Sequence, residues 1–285
     1  MSTVRLLGAA DIRRLAAELD VTPTKKLGQN FVVDANTVRK IVAAARVEEG
    51  ERVVEVGPGL GSLTLAILET GASVTAVEID SRLASRLAQT AAEQGVADGR
   101  LTVVEHDAMT VAELPGDPEV LVANLPYNVS VPVLLHFMET FEKLSRGVVM
   151  VQAEVGERLA AAPGSKIYGA PSAKAAWYGD WKLVGTVSRQ VFWPVPNVDS
   201  VLVGFERSEA PLGSEEDRLD TFRIIDLAFQ QRRKMLRQAL SRELGGSAAA
   251  SEILENAGVA PTVRGEALDV HAFHRIALAV RAARP

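Results

Sequence analysis

The chain has 285 residues, of which 47% are hydrophobic and 24% are charged, and it carries a net charge of −5. The length corresponds to about two domains. The fractions are typical of a globular protein and exclude a collagen-like, coiled-coil or fully disordered chain. The absence of cysteine excludes disulfides, zinc–cysteine sites and thiol catalysis, and the acid excess argues weakly against a nucleic-acid partner.

The N-terminal segment, residues 1–46, is basic, with eight lysine and arginine residues against four acidic ones. Within it, residues 34–46 are predicted to form a helix, because Val38, Ile41 and Val42 recur at helical spacing behind Asp34, a favourable capping residue. Gly50 ends this pattern. The segment is therefore predicted to be a basic arm followed by a helix.

From residue 51 onward, short valine-rich stretches alternate with amphipathic ones. The predicted strands are 52–56, 74–78, 101–105, 120–123 and 147–151, and the predicted helices are 62–70, 81–94 and 131–141. Strands with little polar alternation are buried on both faces, so the pattern predicts an α/β fold with a parallel sheet covered by helices. Residues 183–187 and 200–205 predict a late antiparallel hairpin.

A polar, acidic linker is predicted over residues 206–220. Beyond it the chain predicts only helices, at 221–229, 232–244, 249–257 and 270–283. The predicted organisation is therefore an α/β domain over 47–206 and a small all-α C-terminal domain over 207–285.

A glycine-rich turn follows the first predicted strand, with Gly57, Gly59 and Gly61 at alternate positions. Glycines at such a turn allow the backbone to bend tightly and to approach a ligand closely. The spacing differs from the GxGxxG of dinucleotide enzymes, which makes a dehydrogenase the least favoured alternative. Glu55, two residues upstream, favours S-adenosylmethionine, because a carboxylate stabilises a cationic sulfonium nearby.

Two further acidic residues follow the next predicted strands. Glu78 ends the second strand and can accept hydrogen bonds from the ribose hydroxyls of an adenosine. Asp107 follows the third strand, where an adenine amino group needs an acceptor. Each acid alone fits a helix cap or a solvated charge better than a binding role. Their order at the carboxyl ends of successive strands favours a nucleotide site.

The fourth strand is followed by Asn124, Leu125, Pro126 and Tyr127. An exocyclic adenine nitrogen is a poor nucleophile, since its lone pair is delocalised into the ring. Hydrogen bonds from its N–H groups to the Asn124 side chain and to a main-chain carbonyl of Leu125 or Pro126 favour a pyramidal, reactive nitrogen. Tyr127 offers a face on which the base can stack. Alone, the tetrad also fits an ordinary proline-containing turn.

Together these motifs resemble the adenine N6,N6-dimethyltransferases of small-subunit ribosomal RNA, relatives of the macrolide-resistance rRNA methylases. Three further stretches match the family pattern: 25–31 (KKLGQNF), 192–200 (FWPVPNVDS) and 228–234 (AFQQRRK). The resemblance covers nearly the whole chain. It implies a Rossmann-like class I S-adenosylmethionine-dependent methyltransferase sheet with helices on both faces, plus a small helical C-terminal domain that binds RNA.

The resemblance also implies a role for individual residues. Catalysis is expected at Asn124, Leu125, Pro126 and Tyr127, with Phe192 stacked on the other face of the target base. The residues expected to bind the cofactor are Asn30, Val32, Gly57, Gly59, Glu78, Asp107 and Asn124. Ala153, Ala170 and Asn197 stand where many family members carry a basic residue, which puts local RNA contacts in doubt.

The activity implied by the resemblance is dimethylation of two adjacent adenosines in the 3′-terminal hairpin loop of 16S rRNA, within a nearly assembled small subunit. S-adenosyl-L-methionine would be converted to S-adenosyl-L-homocysteine, with no metal. We expect a cytoplasmic monomer without a membrane segment. The alternatives are a DNA adenine methyltransferase, a methylase of large-subunit RNA, and an assembly factor that has lost catalysis.

The distribution of charge bears on the RNA partner. Residues 223–242 contain six basic residues against Asp226 alone, a local charge of +5. Such a cluster predicts attraction to phosphates despite the acidic average, although a solvated helix face gives the same pattern. His271 and His274 lie three residues apart, but no third ligand is evident, so we predict surface residues rather than a metal site.

Overall fold

The computed structural model describes residues 4–21, 30–126 and 128–283. The chain forms two compact units. The first comprises Met1–Gly156 and Lys182–Arg207, and the second comprises Glu157–Trp181 and Ser208–Pro285.

The strands within the described ranges are β1 (Phe31–Val32), β2 (Arg52–Val56), β3 (Ser73–Glu78), β4 (Leu101–Glu105), β5 (Val120–Asn124), β6 (Arg146–Gln152), β7 (Gly179–Val187), β8 (Phe192–Trp193) and β9 (Ser200–Arg207). The helices are α1 (Ala9–Glu18), α2 (Ala35–Ala44), α3 (Ser62–Glu69), α4 (Ser81–Glu93), α5 (Ser130–Thr140), α6 (Ala153–Leu159), α7 (Ala170–Ala175), α8 (Glu215–Gln230), α9 (Leu236–Ala239), α10 (Ser247–Asn256) and α11 (Val270–Ala282). Within the described ranges, no helix has the length and apolar character needed to span a bilayer.

The main sheet has seven strands in the order β4-β3-β2-β5-β6-β9-β7. Strands β2 to β6 pair in parallel, whereas β9 pairs with β6 in antiparallel orientation. β7 and β9, which contain the two predicted late strands, are neighbours in the sheet. The predicted α/β fold with a mainly parallel sheet is therefore confirmed.

Apolar side chains cover both faces of the sheet. Val53 and Val120 belong to an apolar cluster that also holds residues of α2 and α3. The alternate strand residues Val54, Leu121 and Val149 are at most 1% exposed. Each such side chain contributes about 1.5–3 kcal/mol on burial, which explains why the valine-rich strands lack polar alternation.

The strand order places a crevice at the carboxyl ends of the central strands. The chain starts the sheet at its centre with β2 and adds β3 and β4 outward on one side. It then returns to add β5 and β6 on the other side of β2. The connections therefore reverse direction between β2 and β5. In open α/β sheets, ligands bind outside the carboxyl ends of the strands at such a switch point.

Helix α2 begins where the sequence predicts. The carboxylate of Asp34 accepts hydrogen bonds from the backbone N–H of Thr37 at 2.8 Å and from its hydroxyl at 2.6 Å. These bonds satisfy a donor that the first helical turn leaves without an intrahelical partner. Asp34 is therefore confirmed as the cap of this helix.

The second unit has its own apolar core, formed by helices α7 to α11. Tyr168 packs edge-on against Phe229, with ring centroids 5.9 Å apart, and Trp177 packs likewise against Phe222 at 6.2 Å. These aromatic contacts explain why Glu157–Trp181 belongs to this unit. The domain boundary predicted from the sequence, between residues 206 and 207, left that segment in the α/β domain. The order of residues along the chain does not show which core an intervening segment joins.

Two predictions in the second unit are wrong in detail. Helix α8 starts at Glu215, inside the predicted linker, because Ser214 and Asp217 cap it reciprocally. The predicted helix over 232–244 is reduced to the short α9. The amide of Leu236 donates to the Val263 carbonyl at 2.8 Å, which docks the start of α9 on a separate loop after a turn over residues 231–235.

Candidate active site

A cavity of about 130 Å³ opens at the switch point, at the carboxyl ends of β2, β3 and β5. Its wall combines the glycine-rich turn, the acid at the end of β3, the residues after β5 and the strand β1. The lining residues are Asn30, Phe31, Val32, Glu55, Gly57, Pro58, Gly59, Leu60, Ser62, Leu63, Glu78, Ile79, Asp80, Leu83, Asn124, Leu125 and Pro126.

The glycine-rich turn presents its backbone to this cavity. Gly57, Gly59 and Gly61 have φ values of 68°, 57° and 96°, in the left-handed region that favours glycine. The Gly57 amide donates to the Val77 carbonyl at 2.9 Å, which fastens the turn to β3. Gly57 and Gly59 line the cavity without a side chain, so their backbone is accessible to a ligand at close range, whereas Gly61 does not line it.

Glu78 is held in place by the backbone. Its carboxylate accepts hydrogen bonds from the amides of Gly59 at 3.1 Å, Ile79 at 2.9 Å and Asp80 at 3.0 Å. Burial raises the pKa of the Glu78 carboxyl, and the three amides oppose that shift. A carboxylate has about four acceptor positions, so this one retains capacity for a ligand hydroxyl.

Glu55 lies deeper in the same wall and is 1% exposed. Its Oε2 atom has no hydrogen-bond partner among the described residues. Burial raises the pKa of Glu55 to about 8, with a smaller contribution from the charge of Glu78, while Thr64 opposes the shift. Glu55 is therefore protonated near neutral pH in the free protein.

Asn124 stands at the end of β5 with its side chain at the cavity. Its Nδ2 atom donates to the main-chain carbonyl of Asn30 at 3.2 Å. This bond directs the amide nitrogen towards β1, so Oδ1 remains available as an acceptor. The position of Asn30 depends in turn on β1, since Phe31 pairs with Trp193 of β8 and the Ser62 hydroxyl donates to the Val32 carbonyl at 2.7 Å.

The other members of the predicted tetrad differ in their surroundings. Leu125 is 1% exposed and its amide donates to the Met150 carbonyl at 3.1 Å, which anchors the segment to β6. Pro126 follows at the cavity wall. Tyr127 lies outside the described residues, as does the part of the 25–31 motif that precedes Asn30.

Two predicted residues do not meet the others at the cavity. Asp107 is exposed, accepts a hydrogen bond from the Met109 amide at 2.8 Å, and is not among the lining residues. Phe192 is 2% exposed and packs in the sheet core with Val32, so in this structure it is not available to stack on a base. The sequence motif did not reveal that the side chain of Phe192 points into the core.

Some lining residues were not predicted. Ile79 is a large apolar side chain that is 65% exposed beside Glu78, and Phe31 packs across Gly59. Ile79 had no sequence signal for its place at the cavity, because single exposed apolar side chains are common on protein surfaces. The contribution of Ser62 had no such signal either, since it depends on the approach of β1.

A second candidate site is a basic surface on the second unit. Arg233, Lys234 and Arg242 are exposed, and no carboxylate of the described residues pairs with them. By contrast, Arg223 pairs with Glu243, and Arg232 pairs with Glu266 at 2.9 Å. Only part of the predicted stripe therefore carries unpaired positive charge.

The fold adds to this surface from separate segments. The side chain of Arg232 also donates to the main-chain carbonyl of Lys166 at 2.5 Å, which brings the exposed Lys166 beside the turn that precedes α9. The exposed Arg264 lies on the loop that bonds to Leu236. We call Lys166, Arg233, Lys234, Arg237, Arg242 and Arg264 the basic surface.

Two of the histidines pack against other residues. His274 packs edge-on against Trp177, with ring centroids 5.3 Å apart, and His136 bonds to the Val111 carbonyl at 2.8 Å. His271 is exposed as predicted, whereas the surface position predicted for His274 is wrong, because its ring is half-buried against Trp177. The described residues contain no group of three or more side chains placed to hold a metal ion.

The chain is similar to known proteins over nearly all of its length. A sequence model described as ribosomal RNA adenine dimethylase matches residues 22–281. A protein of Leifsonia xyli named ribosomal RNA small subunit methyltransferase A is 65% identical over 278 residues, which cover 97% of this chain and 99% of the relative. A protein of the same name from Streptomyces coelicolor is 58% identical, covering 95% and 96%.

A solved structure supports the fold. The crystal structure of a dimethyladenosine transferase from Plasmodium falciparum matches with a TM-score of 0.74 at 24% identity, covering 85% of this chain and 94% of that chain. From the match of the family model and the identity to the two bacterial relatives, the chain belongs to the ribosomal RNA adenine dimethylase family and is a methyltransferase.

Proposed function

We propose that this protein transfers methyl groups from S-adenosyl-L-methionine to N6 of two adjacent adenosines in the 3′-terminal hairpin loop of 16S rRNA. It does so on the small ribosomal subunit or its late precursor, in the cytoplasm and as a monomer. The observation that carries the proposal is the Asn124 amide, oriented at the end of β5 beside a glycine-rich cavity. The names of the two bacterial relatives support the small subunit as the target.

The cavity suits this cofactor. Bound S-adenosylmethionine supplies an activated methyl group on a positively charged sulfur. Glu78 would hold the ribose, because its carboxylate is fixed by backbone amides and retains acceptor capacity. Asn30, Val32, Gly57 and Gly59 would bound the rest of the cofactor from β1 and the glycine-rich turn.

Asn124 would act by orientation rather than as a base. Its amide oxygen would accept one N–H of the target adenine, and a main-chain carbonyl of Leu125 or Pro126 would accept the other. Acceptors fixed before the reaction stabilise the pyramidal nitrogen without reorganisation in the transition state. We keep Asp107 as the acceptor for the cofactor adenine, and Tyr127 as a stacking residue, as hypotheses from the family resemblance. Phe192 is buried in the core and is not kept as a stacking residue.

The basic surface would bind the RNA phosphates. Unpaired Arg233 and Lys234 side chains attract a polyanion more strongly than Arg232, which is already neutralised by Glu266. The target adenines have to leave their stack to enter the cavity, which costs least in a loop. An RNA hairpin offers both groups, since its loop holds adenines that unstack easily and its backbone carries phosphates.

The test is mass spectrometry of the 16S rRNA 3′ hairpin. Small subunits that lack the modification are incubated with the protein and S-adenosylmethionine, and naked RNAs of both subunits are incubated in parallel. We expect two adjacent dimethyladenosines in the small-subunit reaction only. Methylation confined to large-subunit RNA, or no turnover of labelled cofactor on any RNA, would overturn the proposed target.

A further inference from the structure

The two ends of the Asn124 amide differ, and the structure decides which end faces β1. A main-chain carbonyl only accepts hydrogen bonds, so the carbonyl of Asn30, 3.2 Å from Nδ2, holds the nitrogen end of the amide towards β1. A target amino group donates hydrogen bonds, so the role proposed for Asn124 needs the oxygen end towards the target. The position of the Asn30 carbonyl therefore decides whether Asn124 can act as an acceptor.

Strand β1 begins directly after Asn30 and consists of Phe31 and Val32. It pairs with β8 in a two-stranded sheet that is separate from the seven-stranded one, with Phe31 opposite Trp193 and the two rings 6.4 Å apart. A two-stranded sheet is marginally stable by itself. The position of β1 therefore depends on further contacts with the rest of the first unit.

Ser62 provides such a contact. It is the first residue of α3, directly after the glycine-rich turn. Its hydroxyl donates to the Val32 carbonyl at 2.7 Å, across 30 positions of the chain. Val32 is two residues from Asn30, and the short chain segment between them transmits a displacement of one to the other. The Ser62 hydroxyl therefore connects α3 to the carbonyl that holds Asn124.

Ser62 also lines the cavity, so a direct contact with the cofactor is the alternative role. A serine hydroxyl has one proton, and Ser62 donates it to Val32. Its donor is therefore already used by β1, which favours a role in placing the strand over a role in donating to a bound molecule.

We propose that Ser62 is a positioning residue for methyl transfer. Its hydroxyl fixes β1, β1 fixes the carbonyl of Asn30, and that carbonyl holds the Asn124 amide with its oxygen towards the target. The inference rests on the proposed function, since it assigns Ser62 a part in the orientation of Asn124. In this role Ser62 acts through Asn124 and contacts neither the target nitrogen nor the transferred methyl group.

Ser62→Ala removes the hydroxyl. We measure the single-turnover rate of methyl transfer to unmethylated small subunits at saturating S-adenosylmethionine, and the dissociation constant of the cofactor by calorimetry. The rate should fall by about tenfold to a hundredfold, because a misplacement of about 1 Å can cost a hundredfold, while the dissociation constant should change little. Weaker cofactor binding with a normal rate at saturation would make Ser62 a cofactor contact and overturn the inference.

A double-mutant cycle with Asn124→Ala tests the route of the effect. If Ser62 acts through Asn124, the variant with both substitutions should be no slower than Asn124→Ala alone, since the group that Ser62 positions is already absent. Rate losses that multiply in the double variant would show that Ser62 acts by another route and would overturn the inference.

Ser73 offers a matched control in the same unit. It is half-buried like Ser62, and its hydroxyl donates to the Glu51 carbonyl at 3.2 Å. It lies at the amino end of β3, whereas the cavity is at the carboxyl ends of the strands. Ser73→Ala therefore removes a bond of the same kind and should keep the wild-type rate. Equal rate losses in Ser62→Ala and Ser73→Ala would show a general effect on the fold and overturn the inference.

The outcome for the proposed function is separate. If the wild-type protein transfers no methyl group to small subunits, the proposed function fails and the inference fails with it. If the wild-type protein methylates them and Ser62→Ala does so at the same rate, only the inference fails.

Discussion

At the scale of single residues, the site depends on contacts between groups far apart in sequence. Asn124 was identifiable from its place after a predicted strand, yet the direction of its amide depends on the carbonyl of Asn30. The geometry that makes an asparagine useful for catalysis is therefore not a property of its own motif. The same holds for Glu55, whose neutrality depends on burial by the surrounding elements.

Replacement of Asn124 by alanine should abolish most of the methyl transfer. The change removes a fixed acceptor, and loss of one such group typically costs about a hundredfold or more in rate. The dissociation constant of S-adenosylmethionine, measured by calorimetry, should change far less than the single-turnover rate on unmethylated small subunits. Near-normal turnover in this variant would contradict the assigned role.

Replacement of Glu55 by glutamine should also affect stability, in the absence of any ligand. The pKa of Glu55 is about 8 when folded and close to 4.5 when unfolded, so the folded state binds the extra proton between these values. Stability of the wild type should therefore fall, relative to Glu55→Gln, as the pH rises from about 5 to 8, and the difference should then stay constant. The test is to measure the urea unfolding midpoints of both proteins across this pH range. If the midpoints of the two proteins change with pH in parallel, Glu55 is already ionised in the folded state and the prediction is wrong.

At the scale of elements, most helix ends were predicted to within one or two residues, and the exceptions are the start of α8 and the extent of α9. Asp34 marks the start of α2 through contacts within one turn. The start of α8 has an equally local signal in Ser214 and Asp217, which was hidden in an acidic stretch interpreted as a linker. The short α9 could not be predicted, because its start is set by a hydrogen bond to Val263 from a different segment.

Gly61, just before α3, should not tolerate a side chain. Its φ of 96° is unfavourable for other residues by about 1–2 kcal/mol, and a Cβ there would lie 2.8 Å from Cδ1 of Leu87. Gly61→Ala should therefore lower the thermal unfolding midpoint. Gly99→Ala is the matched control, since Gly99 has a φ of 79° but no atom within 4 Å of the added Cβ. An equal effect at both positions would show that backbone strain alone, without the contact with Leu87, limits this site.

At the scale of the whole molecule, the average charge is a poor guide to the partner. The net charge of −5 coexists with a basic surface assembled from three segments of the second unit. The run 223–242 was detectable in the sequence, but part of its charge is neutralised by Glu243 and Glu266. The fold compensates by adding Lys166 and Arg264, which no sequence pattern connects to that run.

Removal of charge from the basic surface should weaken RNA binding in a salt-dependent way. Arg233→Ala combined with Lys234→Ala removes two unpaired cations, and each lost phosphate contact should lower the slope of log affinity against log salt by about 1. Fluorescence anisotropy with a labelled 16S 3′ hairpin measures this slope.

The control for this experiment removes two other cations. Arg52→Ala combined with Lys143→Ala changes the net charge equally, at residues that pair with Glu119 and Asp117 in the first unit. We expect little change in the salt slope of this variant. If both double variants lower the slope equally, the net charge rather than the basic surface governs binding.

The sequence by itself determined the class of fold, the order of the motifs and the chemistry they favour. Those features depend on periodicity, on glycine and on residues adjacent along the chain, such as the acid after each strand. Only the tertiary structure decided that Asn124 bonds to Asn30, that Phe192 is buried and that Oε2 of Glu55 has no hydrogen-bond partner among the described residues. Direction and burial of a side chain depend on segments that approach from elsewhere in the chain, and a linear pattern carries no record of that approach.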